Sequence, residues 1–130
     1  VKIVAAVAGD IPVNNIYDYR QFCEKNSTSI RVASEYVNIA DKYARDNRLG
    51  MYRILPTWGA TEAFIPEDAD LLIENTETGS TIARHNLKII DTLFESTAHL
   101  IGAKNREYSA VKHDRIENII SLLRIAAENK

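Results

Sequence analysis

The chain has 130 residues, 45% of them apolar and 26% charged, which is enough for one globular domain with a sizeable core. A formal net charge of −2 argues against a broad electrostatic pull toward nucleic acid, and no apolar stretch reaches the ~20 residues of a membrane span. The single cysteine, Cys23, excludes an internal disulfide and fits a reducing, cytoplasmic compartment.

The opening Val1-Lys2-Ile3-Val4-Ala5-Ala6-Val7-Ala8 is too short and too poorly flanked for a signal peptide. Lys2–Ala8 instead reads as a strand apolar on both faces, broken by Gly9-Asp10-Ile11-Pro12. The missing start methionine points to a processed chain, an isolated domain or a fragment. Ile16, Tyr19 and Cys23 at helical spacing predict a short helix over Tyr17–Lys25, with Cys23 on its apolar face and therefore in the core. Asn26–Ser29 is a loop, and Ile30–Ala33 a second strand. Ser34 is the expected cap of the next helix, whose inner face carries Val37, Ala40 and Ala44 and which ends before Gly50.

Met51–Leu55 is expected as a third strand closed by Pro56, and Gly59–Phe64 as a helical turn limited by Pro66. Asp70–Glu74 is a fourth strand and Ser80–His85 a short helix, with further strands at Leu87–Ile90 and Ala98–Lys104. Ile116, Ile119, Ile120, Leu123 and Ala127 form one apolar stripe, so Ser109–Glu128 is an amphipathic helix. Strands alternating with helices give an α/β domain around a mixed, largely parallel sheet.

The segment with most chemistry is Ala69–Thr81. An apolar run, Leu71-Leu72-Ile73, leads into Glu74 and then a hydroxyl-rich turn around Gly79. Strand, tight turn and helix start together present backbone N–H groups to an anion, and Thr76, Thr78, Ser80 and Thr81 add hydroxyl donors. The same string also serves as a hydroxyl-capped strand-to-helix connection. Glu74 and Glu77 repel a bare phosphate, but a phosphosugar carrying Mg²⁺ removes the conflict, because a carboxylate can accept from ribose hydroxyls or metal-bound water. Trp58-Gly59-Ala60-Thr61-Glu62-Ala63 reads either as a wall for a flat or anionic ligand or as a buried Trp beside a helix cap. Arg31, Arg84 and Lys88 are cations that could neutralise a polyphosphate or simply be solvated. His85, His99 and His113 lack metal-ligand spacing and read as surface or packing residues, so no protein metal site is expected. There is no nucleophile elbow and no Walker loop.

Four blocks in order resemble the ATP phosphoribosyltransferase family, which opens histidine biosynthesis. They are Arg31-Val32-Ala33-Ser34-Glu35-Tyr36 with Asn38, Trp58–Ala63, Ala69–Thr81, and Asn86–Thr97. The resemblance implies a transferase core of periplasmic-binding-protein-like (type II) fold. This chain would be its second domain: a phosphoribosyl-pyrophosphate-binding unit over residues 1–104 and a C-terminal helix over 105–130 that packs on a first domain. It implies that Glu77, Thr78, Gly79, Ser80 and Thr81, with Thr76, hold the 5′-phosphate and that Glu74 faces the ribose. Arg31, Trp58 and Glu62 become possible cleft residues. The implied substrates are phosphoribosyl pyrophosphate and ATP, with Mg²⁺ as cofactor, no nucleic acid and no membrane. The full-length enzyme would be a homo-oligomer. The family has Asp where Glu74 stands, often has Pro where Val37 stands, and varies at Trp58. No counterpart of the family's first domain precedes Val1, so the isolated chain is expected to be inactive while keeping the phosphate site. The alternative is a non-catalytic ligand- or partner-binding module derived from that family, with a partner supplying the missing lobe.

Overall fold

A computed structural model describes residues 1–129; Lys130, the last position of the expected 105–130 segment, lies outside them. The chain divides into two compact units, Val1–Thr97 and a segment beginning at Ala98.

The first unit is built on one five-stranded sheet: β1 (Lys2–Ala8), β2 (Ile30–Ser34), β3 (Tyr52–Pro56), β4 (Leu71–Thr76) and β5 (Leu87–Glu95), in the order β3-β2-β4-β1-β5. β2 pairs parallel with β3 and β4, whereas β1 pairs antiparallel with β4 and β5. Four strands therefore run one way and β1 runs against them, so the sheet is mixed, with half of its pairings antiparallel. β1 sits between two neighbours and is covered on both faces, which is why it reads as a continuous apolar run with no alternation.

Strict alternation divides the buried residues between the two faces. Ile3, Ala5 and Val7 of β1, with Val32, Leu71 and Ile73, pack under α1 (Ile16–Asn26) and α2 (Val37–Asp46) through Tyr19, Cys23, Ala40, Tyr43 and Ala44. Val4 and Ala6, with Ala33 and Leu72, pack under Ile65, Ala69, Ile82 and Leu87 on the other face. That second face is covered by a single 3-10 turn, Thr61–Phe64, and by α3 (Ser80–Arg84).

The helix ends follow local chemistry. Asn15 caps α1 by accepting from the Asp18 N–H at 2.8 Å, and Ser27 closes it in the left-handed region with φ 50°. Ser34 does not cap α2 as expected. It is the last residue of β2 and wholly buried; Oγ donates to the Ile73 carbonyl at 2.6 Å and accepts from the Tyr36 N–H at 2.9 Å. Tyr36 is the N-cap residue instead, with no side-chain cap bond, and Val37 lies exposed rather than on the inner face.

β5 runs on to Glu95, beyond the expected end at Ile90. The polar Asp91 that hid this continuation is satisfied in place, accepting from the Tyr43 hydroxyl at 2.8 Å. The expected strand at Ala98–Lys104 does not form. Those residues have no strand partner among the described residues, and Leu100 and Ile101 are exposed. The second unit's regular element is α4 (Ala110–Glu128), as the apolar stripe predicted, and none of its described residues is buried. No helix among the described residues is long and apolar enough to cross a membrane.

Candidate functional site

The cleft opens where two parallel strands part. β2 and β4 pair only at Val32 with Leu71 and Ala33 with Leu72. Beyond that register β4 continues to Thr76 alongside β1, while β2 turns away into α2. The space between carboxyl ends of adjacent parallel strands is where α/β sheets place ligands. Here it is a cleft of about 440 Å³.

Alternation along β4 sends Glu74 and Thr76 to the same face as Leu72, the face under α3. Asn75 faces the other way, and its amide donates to the Tyr36 hydroxyl at 2.5 Å. The turn that follows is organised by its own hydroxyls. Thr76 Oγ1 accepts from the Gly79 N–H at 2.8 Å, Thr78 Oγ1 accepts from the Ser80 N–H at 3.3 Å, and Thr78 Oγ1 donates to Ser80 Oγ at 3.0 Å. Gly79 takes φ 76°, a conformation that side chains disfavour. The space beside it is not tight, since a Cβ would meet Ile89 Cδ1 at 3.5 Å; the backbone conformation is what calls for glycine. α3 has only five residues, so it contributes little helix dipole to the turn.

The structure brings most of the sequence-predicted residues together. Glu74, Thr76, Glu77, Thr78, Ser80 and Thr81 line this cleft, Gly79 forms the turn between them, and Glu62 joins from the 3-10 turn. His85 Nε2 stands 3.8 Å from the Glu62 carboxylate. Trp58 does not line the cleft and is not buried; it lies two residues before Ala60, which does line it, and is 90% exposed. Arg31 is elsewhere. Its guanidinium grips both Asp70 oxygens at 3.0 and 2.8 Å and donates to the Glu67 and Pro66 carbonyls, so it clamps the approach to β4 and is not a free cation for a ligand. Burial would raise the Asp70 carboxyl, but the Arg31 side chain and backbone N–H outweigh it and hold that carboxyl below its ordinary range. Lys88 is likewise engaged, with its Nζ on the Ile11 carbonyl at 2.5 Å.

Glu35 is a cleft residue that motif reasoning missed. It follows the last residue of β2, lines the cleft, and its carboxylate accepts from the Gly59 N–H. The rule that ligands gather at carboxyl ends of parallel strands was the signal that could have found it. Glu35, Glu62, Glu74 and Glu77 thus share one cleft, and no Lys or Arg lines it among the described residues. Oxygen donors of this kind suit Mg²⁺, which is commonly held by one or two carboxylates together with substrate phosphates. No cluster of three or more His, Cys, Asp or Glu positioned to hold a metal occurs among the described residues.

The family model "HisG: ATP phosphoribosyltransferase" matches residues 1–125. An ATP phosphoribosyltransferase of Prosthecochloris aestuarii is 40% identical over 92 residues, 71% of this chain and 31% of that protein. One of Chlorobaculum parvum is 35% identical over 123 residues, 95% of this chain and 39% of that protein. The chain therefore spans between 31% and 39% of the length of these curated relatives. Among solved structures, the ATP phosphoribosyl transferase (HisG:HisZ) complex from Thermotoga maritima aligns with TM-score 0.56 and 26% identity, covering 72% of this chain and 40% of that one.

Proposed function

The chain belongs to the ATP phosphoribosyltransferase family, and from that premise we propose that its first unit is the phosphoribosyl-pyrophosphate-binding lobe of such an enzyme. The observation that carries the reading is the shared cleft in which the hydroxyl-lined turn Thr76–Thr81 adjoins the Glu74 carboxylate. The turn would receive the 5′-phosphate through backbone N–H groups and hydroxyls, and Glu74 would accept from the ribose hydroxyls. Glu74 Oε1 already accepts from the Asn75 N–H at 2.8 Å, which orients the carboxylate.

In the implied reaction N1 of ATP forms a bond to the anomeric carbon as the bond to the pyrophosphate oxygen breaks, and the electron pair leaves with pyrophosphate. Such a displacement needs orientation and charge stabilisation and no covalent nucleophile. Bound Mg²⁺ would supply positive charge to the diphosphate, with Glu35, Glu62 and Glu77 as the carboxylates available to it. This chain's own part is to hold the phosphate and ribose still.

A lining of four glutamates without Lys or Arg supports a division of labour. Beyond the charge that Mg²⁺ would supply, stabilising a departing pyrophosphate would call on basic side chains that the described cleft does not contribute, so the chain alone would bind substrate without turning it over. The same observation favours the second reading, a module that binds a phosphorylated ligand or a lobe-supplying partner and catalyses nothing. The Thermotoga neighbour was solved as a complex of two named components, which supports assembly with a partner here.

Calorimetry of the chain with phosphoribosyl pyrophosphate and Mg²⁺ tests the binding claim, with saturable binding expected. A folded sample that takes up no ligand at millimolar concentration overturns the reading. Turnover of ATP and phosphoribosyl pyrophosphate by this chain alone overturns the division of labour. With a longer parent polypeptide or a partner added, phosphoribosyl-ATP formation supports the enzyme reading and its absence the module.

A further inference from the structure

We infer that Glu35 is a positioning residue of the cleft: its carboxylate holds Gly59 and Ala60 in the conformation that sets Ala60 and Glu62 in the cleft wall. The inference rests on reading that cleft as a ribose-phosphate site. β2 and β3 pair in parallel as far as Ser34 with Pro56, and the Thr57 N–H adds one last backbone bond to the Ser34 carbonyl at 3.1 Å. Past that point side chains take over. The buried Thr57 and Thr61 hydroxyls share a 2.9 Å bond across the base of the loop. Glu35, the residue that follows β2, reaches the loop's tip, where its carboxylate accepts from the Gly59 N–H. A backbone N–H bonded to an ionised acceptor is among the stronger hydrogen bonds.

The backbone held there is strained. Gly59 and Ala60 take left-handed φ values of 84° and 49°. Glycine adopts that region freely, but alanine does not, and such a residue persists where its surroundings over-determine it. Ala60 is also the N-cap residue of the 3-10 turn Thr61–Phe64, and its carbonyl accepts from the Ala63 N–H at 3.0 Å. Its conformation therefore sets the direction in which the turn leaves the loop. That turn packs against β2 and β4 and carries Glu62, whose side chain is only 19% exposed and lines the cleft together with Ala60. Without the Glu35 anchor, Ala60 can relax to an ordinary backbone conformation, and the entry to the turn moves with it. A ligand must then order this wall as it binds, which lowers its affinity. The role calls for an oxygen acceptor at Glu35 and not for its negative charge, which leaves Glu62 and Glu77 as the carboxylates for Mg²⁺.

Glu35 and Gly59 are exposed, so Glu35→Ala should keep the fold, as a urea midpoint near the parent's would show. By calorimetry with phosphoribosyl pyrophosphate and Mg²⁺, Glu35→Ala should weaken binding on the order of tenfold, the scale of ordering one left-handed residue on binding. Glu35→Gln keeps an amide oxygen for the Gly59 N–H. It should bind within about threefold of the parent and with the parent's Mg²⁺ dependence, since a neutral bond replaces a charge-assisted one. Hydrogen exchange of the Gly59 amide, followed by NMR, should be slow in the parent and in Glu35→Gln and faster in Glu35→Ala by on the order of tenfold or more. A Glu35→Ala variant that binds like the parent overturns the positioning role, and so does a Glu35→Gln variant as weak as Glu35→Ala, which would make the charge the working part. Either result leaves the ribose-phosphate reading standing. Absence of phosphoribosyl pyrophosphate binding by the unaltered, folded chain overturns both.

Discussion

Ser34 Oγ donates to the Ile73 carbonyl at 2.6 Å, bridging two parallel strands just past the point where their backbone ladder stops. The same oxygen accepts from the Tyr36 N–H, so one wholly buried hydroxyl satisfies two backbone groups at the root of the cleft. Tyr36 in turn receives the Asn75 amide. The parting of β2 and β4 is thereby held by side chains rather than by the sheet. Ser34→Ala should cost about 1–3 kcal/mol, the usual penalty for leaving buried backbone groups unpaired. Urea unfolding measures it, and a change within ±0.5 kcal/mol would show that water replaces the hydroxyl at no cost.

At the opposite end of β1, Gly9 donates to the Asn86 carbonyl at 2.8 Å, and a Cβ on Gly9 would lie 2.6 Å from that same oxygen. The atom it meets is a backbone carbonyl oxygen, and a Cβ is fixed in place by its own backbone, so no side-chain rotation relieves the clash. Gly9→Ala should destabilise the first unit by about 1–3 kcal/mol through overpacking. A thermal midpoint equal to that of the parent would mean that the Ala8–Ile11 loop shifts freely.

Arg31 and Asp70 tie stability to pH. The Asp70 carboxyl titrates below its ordinary value in the folded chain, because the Arg31 bonds outweigh the effect of burial. A folded pKa below the unfolded one, about 3.9 for Asp, means that the stabilisation is complete above the unfolded value and is lost as pH falls through the folded one. Denaturant midpoints measured from neutral pH downward should therefore drop in acid. Asp70→Asn should be less stable at neutral pH and show a flatter acid limb. Parallel curves for the two proteins would show that other carboxylates control acid unfolding.

Gly79→Val tests the turn. The space beside Gly79 tolerates a Cβ, so the cost comes from the positive φ and from altered geometry of the Thr76 and Thr78 hydroxyl bonds. A β-branched residue there should abolish phosphoribosyl pyrophosphate binding and cost only about 1–2 kcal/mol of stability, the scale of one left-handed residue. Calorimetry and urea unfolding on the same sample separate the two effects. Binding that survives the substitution would place the phosphate elsewhere.

Periodicity and turn chemistry determined much of this protein from sequence alone. The apolar run of β1, the Tyr19–Cys23 face of α1, the stripe of α4 and the hydroxyl turn at 76–81 are local patterns, each written in consecutive residues and each read correctly as an element. What failed was what depends on partners far away in sequence. β5 runs on through Asp91 because Tyr43, 48 residues distant, satisfies its carboxylate. Ala98–Lys104 is apolar enough to suggest a strand but is not one in the fold. Ser34 has the chemistry of a helix cap yet spends its hydroxyl on β4, and Arg31 sits in a family-like block yet is consumed by Asp70. Glu35, Glu62 and Glu74 are 39 positions apart along the chain at the extremes and become one cleft only because β2 and β4 lie side by side and then diverge. Local sequence sets which backbone shape each segment prefers. Which polar groups remain free to meet a ligand depends on which ones the fold has already paired, and only the tertiary structure decides that.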